Sequence, residues 1–204
     1  MPGLVGLSPA DGCRQKMITL VTGLPRSGTS MMMRILEAGG LPPLTDNVRA
    51  PDIDNPNGYY EFEPVKTTRE DPSWLAQAEG KAVKLVYQIL FDLPPDRPYR
   101  VVFMQRALKE VVASQDRMLA RLGRAAGGPA APHALVGTFA AEVARTKAWL
   151  RDHGNFDVRY VNYNHLLEAP REHLAPLAAF LGGGLNLNAM CAVVSGRSSS
   201  LFTA

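Results

Sequence analysis

The segment that most constrains this chain is Gly23-Leu24-Pro25-Arg26-Ser27-Gly28-Thr29-Ser30, set between an apolar run and a helical pattern. Met17 to Thr22 (MITLVT) is short, rich in β-formers and bounded by a glycine, which predicts a buried strand. Thr29 to Ala38 (TSMMMRILEA) carries apolar residues at helical spacing and runs into Gly39-Gly40, which predicts a helix and its stop. Strand, tight loop and helix in that order open a βαβ unit. The glycines allow the backbone to turn so that successive N–H groups face an anion, and the helix start adds partial positive charge. The segment therefore reads as a cradle for a nucleotide-like phosphate donor, with the Thr29 and Ser30 hydroxyls in its first helical turn.

The remaining pattern extends the same architecture. Lys81–Leu85 is a weak second strand, Arg100–Met104 a clear third and Val158–Asn162 a fourth. Helices are expected from about Leu108 to Leu122, from His133 to His153 and from Arg171 to Leu181, whereas the tail from Gly182 is poorly specified. Strands alternating with helices predict an α/β fold, a central parallel sheet covered on both faces. Residues 1–15 read as a loose leader, 41–79 as a long, largely irregular excursion and 121–140 as a second loop region, all within one domain spanning 1–204. The Met31, Met32, Met33, Ile35 and Leu36 stripe reads as core. Trp74 and Trp149 are candidates for a pocket wall, with Trp149 better placed as core.

Composition narrows the class. With 22 Lys+Arg against 19 Asp+Glu the net charge is +3, too small an excess to imply nucleic-acid binding. No stretch approaches the roughly 18 apolar residues of a membrane span, and the start lacks a basic segment followed by a long apolar one. Cys13 and Cys191 lack metal-ligand spacing. The expectation is a cytoplasmic, soluble protein without a membrane or nucleic-acid partner.

Against the ATP-binding pattern G-x-x-x-x-G-K-[ST], Gly23, Gly28 and Ser30 fit, but Thr29 stands where lysine belongs and the cation sits inside the loop at Arg26. The third strand ends in Gln105-Arg106, with no acid to hold magnesium. Pro25-Arg26-Ser27-Gly28-Thr29-Ser30 instead resembles the P-K/R-S-G-T-S/T loop of the sulfotransferases. Arg106 and Ser114, eight residues apart in QRALKEVVAS, resemble that family's second signature. Asn57 to Glu61 (NGYYE), YNHLL from Tyr163 and FLGG from Phe180 extend the likeness over most of residues 17–184; the family's C-terminal arginine-lysine-glycine run is absent.

The resemblance implies a three-layer P-loop NTPase-like fold and 3′-phosphoadenosine 5′-phosphosulfate (PAPS) as co-substrate, with no metal required. It places Arg26 beside the bridging oxygen, Ser27, Gly28, Thr29 and Ser30 around the 5′-phosphate, and Arg106 and Ser114 on the 3′-phosphate. It implies a small-molecule acceptor. For the general base Glu61 is the first candidate, Glu63 its equal on spacing, and His133 a further one after the flexible GGPAAP stretch. Lys84 is a candidate neighbour of the sulfuryl group. The other readings are a P-loop nucleotide or small-molecule kinase and a non-catalytic nucleotide-binding module.

Overall fold

The computed structural model describes residues 17–46, 48, 58–121, 123 and 131–201, with the side chains of 131–134 and 197–201 outside the description. Four strands, β1 (Ile18–Gly23), β2 (Ala82–Lys84), β3 (Tyr99–Gln105) and β4 (Phe156–Asn162), form one parallel sheet in the order β2-β1-β3-β4. Side chains alternate between its faces. Ile18, Leu20, Val83, Tyr99, Val101 and Phe103 enter one core, and Val21, Ala82, Val102, Met104 and Val161 the other. With both faces covered, β1 is buried throughout and β3 nearly so, whereas the edge strand β4 carries Asp157 and Arg159.

The second face is covered by α1 (Thr29–Ala38), α4 (Tyr163–Glu168), α5 (Pro170–Phe180) and α6 (Leu187–Leu201), which supply Met31, Met32, Met33, Leu166, Leu174, Leu177 and Met190. The methionine stripe is thus core. The first face is covered by three 3₁₀ turns, Glu63–Thr67, Ser73–Ala76 and Tyr87–Asp92, together with α2 (Leu108–Arg121) and α3 (Ala131–Asp152). Trp74 lies in this core at 1% exposure, its Nε1 donating to Thr68 Oγ1 at 3.1 Å, so it is no pocket wall. Trp149 packs partly buried against the same core, edge-on to Phe91.

Two departures from the sequence reading have physical causes. The excursion after α1 is not wholly irregular, because two of the 3₁₀ turns fall in it and seat Val65, Trp74 and Leu75 in the core. The tail contains α6, which seats Met190 and Val194 in the second core with Leu187, Cys191 and Val193 partly buried beside them. Its start is fixed by Asn186, whose side chain accepts from Ala189 N at 3.1 Å and whose N–H reaches Gly39 O at 2.9 Å. The leader 1–15 and the stretch 124–130 lie outside the described residues.

Each strand delivers its following residues to the carboxyl edge of the sheet. β1 pairs with β2 on one side and β3 on the other, so the chain order reverses direction at β1. Open α/β sheets hold ligands outside that edge at such a reversal.

One position shows how tightly the edge is packed. Gly28 caps α1 with φ +100, and a Cβ there would stand 2.4 Å from Tyr163 Cδ2. Gly28→Ala is therefore expected to destabilise by on the order of 2 kcal/mol through combined strain and overpacking, read as a lowered denaturant midpoint.

Candidate functional site

The loop after β1 is built from special backbone. Arg26 is a non-glycine residue with φ +67 and Gly28 follows at φ +100, with Ser27 N donating to Leu24 O at 3.1 Å between them. Left-handed residues on either side of Ser27 turn the N–H groups of this stretch toward one side. The first turn of α1 has no side-chain cap and no acidic residue, so its amide groups and dipole meet no carboxylate from their own turn. Ser27 is buried, and its Oγ has no hydrogen-bond partner among the described residues.

Arg26 and Arg106 share a cleft of about 490 Å³ with Gly28, Thr29, Ser30, Ser114 and Tyr163. Arg26 Nε donates to Ser114 Oγ at 3.0 Å, and Arg106 Nη1 donates to the Arg26 carbonyl at 3.2 Å. Residues 80 and 88 positions apart are thereby joined at one edge of the sheet. Both arginines line the same cleft.

Arg106 is held from three sides. Its Nε donates to Glu110 Oε2 at 2.8 Å, Glu110 Oε1 accepts from Asn164 Nδ2 at 2.8 Å, and the guanidinium sits 4.4 Å from the Tyr163 ring centroid. Glu110 stands in the first turn of α2, four residues beyond Arg106 at the end of β3. Asn164 and Tyr163 come from the turn at the end of β4, which Asn162 caps by accepting from Asn164 N and His165 N. The sequence reading missed Glu110, Asn164 and Tyr163 as site residues. For Tyr163 a signal existed in the YNHLL segment; for Glu110 it was the i, i+4 relation to Arg106.

Opposite the loop stand Lys84 and Glu61. Lys84 leaves the end of β2, and its side chain is only 13% exposed. Its Nζ donates to the Tyr59 carbonyl, lies 3.4 Å from Ser30 Oγ and 3.9 Å from Glu61 Oε1. The Glu61 carbonyl accepts from Thr45 Oγ1 at 2.9 Å and Asp46 N at 3.2 Å, so the excursion is folded back on itself where its carboxylate lines the cleft. Tyr60, with φ +54, ties the same segment to α1 through its hydroxyl, which donates to Glu37 Oε2 at 2.5 Å; burial pushes that phenol up.

The structure separates candidates that spacing could not. Glu63 pairs with Lys66 at 2.5 Å on the exposed side of its turn and does not line the cleft, whereas Glu61 does. His133 belongs to α3 by its backbone, and its side chain lies outside the described residues. His153 stacks on Trp149, its Nδ1 2.7 Å from Trp149 O, and His165 and His173 lie 5.8 Å apart ring to ring. No helix among the described residues is long and apolar enough to cross a membrane.

No protein-family model and no curated protein matches the sequence. Among solved structures, a sulfotransferase from Alicyclobacillus acidocaldarius matches with a TM-score of 0.52 at 19% identity, over 82% of this chain and 81% of that one. The sulfotransferase domain of the Synechococcus PCC 7002 olefin synthase matches with a TM-score of 0.53 at 19% identity, over 85% and 75% respectively. The chain thus shares the fold of these enzymes, an α/β fold of the P-loop NTPase-like kind.

The Arg106 hydrogen bond, followed by that from Asn164, holds the Glu110 carboxyl below its ordinary range. A depressed carboxyl stabilises the folded state at pH above its unfolded value near 4.5, and this stabilisation fades as pH falls through the folded value. Glu110→Gln is therefore expected to lower the melting temperature at pH 7 by a few degrees and by less at pH 3.5, compared by thermal melts at both pH values.

Proposed function

We propose that this protein transfers a sulfuryl group from 3′-phosphoadenosine 5′-phosphosulfate to a hydroxyl or amine of a small acceptor. The observation that carries the reading is the meeting of Arg26, Arg106 and Ser114 around the uncapped start of α1. An ordinary nucleoside triphosphate needs only the loop. A donor with a second phosphate on its ribose needs a second cationic clasp, and Arg106 with Ser114 supplies one at the neighbouring strand end. The shared fold supports the same reading. We place its action in the cytoplasm.

In this mechanism backbone N–H groups from Ser27 to Ser30 and the Thr29 and Ser30 hydroxyls hold the 5′-phosphate, where the helix dipole favours negative charge. Arg106, kept in orientation by Glu110 and Asn164, grips the 3′-phosphate together with Ser114. Arg26 leaves its contact with Ser114 to neutralise charge growing on the bridging oxygen as the sulfur–oxygen bond breaks. Lys84, between the loop and the excursion, faces the sulfuryl oxygens. Glu61 takes the acceptor proton, and its place near Lys84 keeps base and sulfuryl group within one reaction volume. We do not assign His133 a part in this scheme.

Two outcomes are expected. Adenosine 3′,5′-bisphosphate without magnesium should raise the melting temperature, and Arg106→Ala should remove most of that rise; greater stabilisation by ATP with magnesium would count against the reading. Glu61→Gln should lower kcat at least 100-fold while leaving the bisphosphate affinity within about threefold, measured by transfer of labelled sulfate and by calorimetry.

A further inference from the structure

The cleft is chemically divided. Its loop end is cationic and rich in hydrogen-bond donors. Beyond Lys84 and Glu61 the wall changes character to Phe62, Val65, Leu85, Val86, Ile89 and Met118, drawn from the excursion, the end of β2, the 3₁₀ turn that follows it, and α2. Val65 and Leu85 are buried, and Phe62 and Ile89 pack partly buried against the core behind them. These walls are therefore anchored. Val86 is different: it stands 51% exposed at the mouth, a large apolar side chain at the edge of a lined cavity. Among the described lining residues, the charged side chains at this end are Glu61 and Lys84 at the transfer point and Lys66, which is ion-paired with Glu63.

We infer that the acceptor is a hydroxyl carried on an apolar aryl or alkyl body, and not a sugar or other polyol; this rests on the sulfuryl-transfer reading above. One hydroxyl reaching the Glu61–Lys84 pair finds its partners there. Each further hydroxyl of a polyol would exchange water for the side chains of Phe62, Val65 or Ile89, and an unpaired buried hydroxyl lowers affinity by about tenfold. An aryl or alkyl body instead gains by leaving water against the same walls. The step balances simply. The acceptor oxygen forms a bond to sulfur, the bond from sulfur to the bridging phosphate oxygen breaks, its electron pair leaves with adenosine 3′,5′-bisphosphate, and the hydroxyl proton passes to the Glu61 carboxylate.

The test pairs direct binding with transfer. Binding of 2-naphthol is followed by its own fluorescence, binding of adenosine 3′,5′-bisphosphate by calorimetry, and transfer from PAPS by labelled sulfate, with 1-octanol and N-acetylglucosamine as comparison acceptors. The expected result is kcat/KM at least 100-fold higher for 2-naphthol than for N-acetylglucosamine. Val86→Asn, at an exposed position that folding tolerates, and Ile89→Asn should each weaken 2-naphthol binding about tenfold and leave bisphosphate affinity unchanged. Bisphosphate binding with equal or better use of N-acetylglucosamine, or 2-naphthol binding indifferent to Val86→Asn, overturns the inference. Val86-dependent 2-naphthol binding in a protein with no affinity for the bisphosphate would uphold the apolar chamber and overturn the transfer reading instead.

Discussion

The guanidinium of Arg106 is the contact on which the site's geometry depends. It closes the distance between the end of β3 and the loop after β1 by donating to the carbonyl of Arg26, the residue whose own backbone is left-handed. A residue in that conformation costs on the order of 1 kcal/mol or more and persists only where surroundings fix it. Here the surroundings are a chain of contacts, Tyr163 beneath Arg106, Glu110 on its Nε, and Asn164 on Glu110. The packing of Gly28 on the Tyr163 ring brings that chain back to the loop. Four elements thus meet around one planar cation, as a fork of fixed donors can do and a lysine ammonium cannot.

The division of labour between the two ends of the cleft follows from the sheet. Strand ends present backbone and charged side chains at the carboxyl edge, which suits an anionic donor. The 3₁₀ turns on the first face are seated by apolar residues whose neighbours spill over into the cavity, which suits a poorly hydrated body. Lys84 stands at the boundary because β2 ends there, and it touches both the first turn of α1 at Ser30 and the excursion at Tyr59.

Much of this was legible in the residues. The run from Met17 to Ala38 specified strand, loop and helix because periodicity and breakers agreed, and the structure returns Ile18–Gly23 and Thr29–Ala38. Arg106 and Ser114 were legible through the family resemblance that QRALKEVVAS carries, and the structure brings both to the cleft. The choice between Glu61 and Glu63 was not, because two residues in an excursion differ only in how the chain folds back, here through Thr45, Asp46 and the turn starting at Glu63. The role of Tyr163 in supporting Arg106 depends on a contact across 57 residues that local pattern does not encode. Helix α6 escaped notice because Gly196 and four serines dilute its apolar face, and its docking rests on Met190 and Asn186 against the end of α1.

The span of the Arg26–Ser114 hydrogen bond, 88 residues, has a consequence for how this chain acquires its shape. Parallel strands cannot pair through hairpins, so every rung of the sheet closes a long segment before it returns any free energy, and such high-contact-order topologies assemble slowly. The cleft is not present in any fragment that ends before α2, however well its first βα unit is ordered. During synthesis the emerging chain carries a half-built phosphate loop until Ser114 and the end of β4 have left the ribosome. The proposed donor site is therefore completed late, only when residues far apart in the chain have come together.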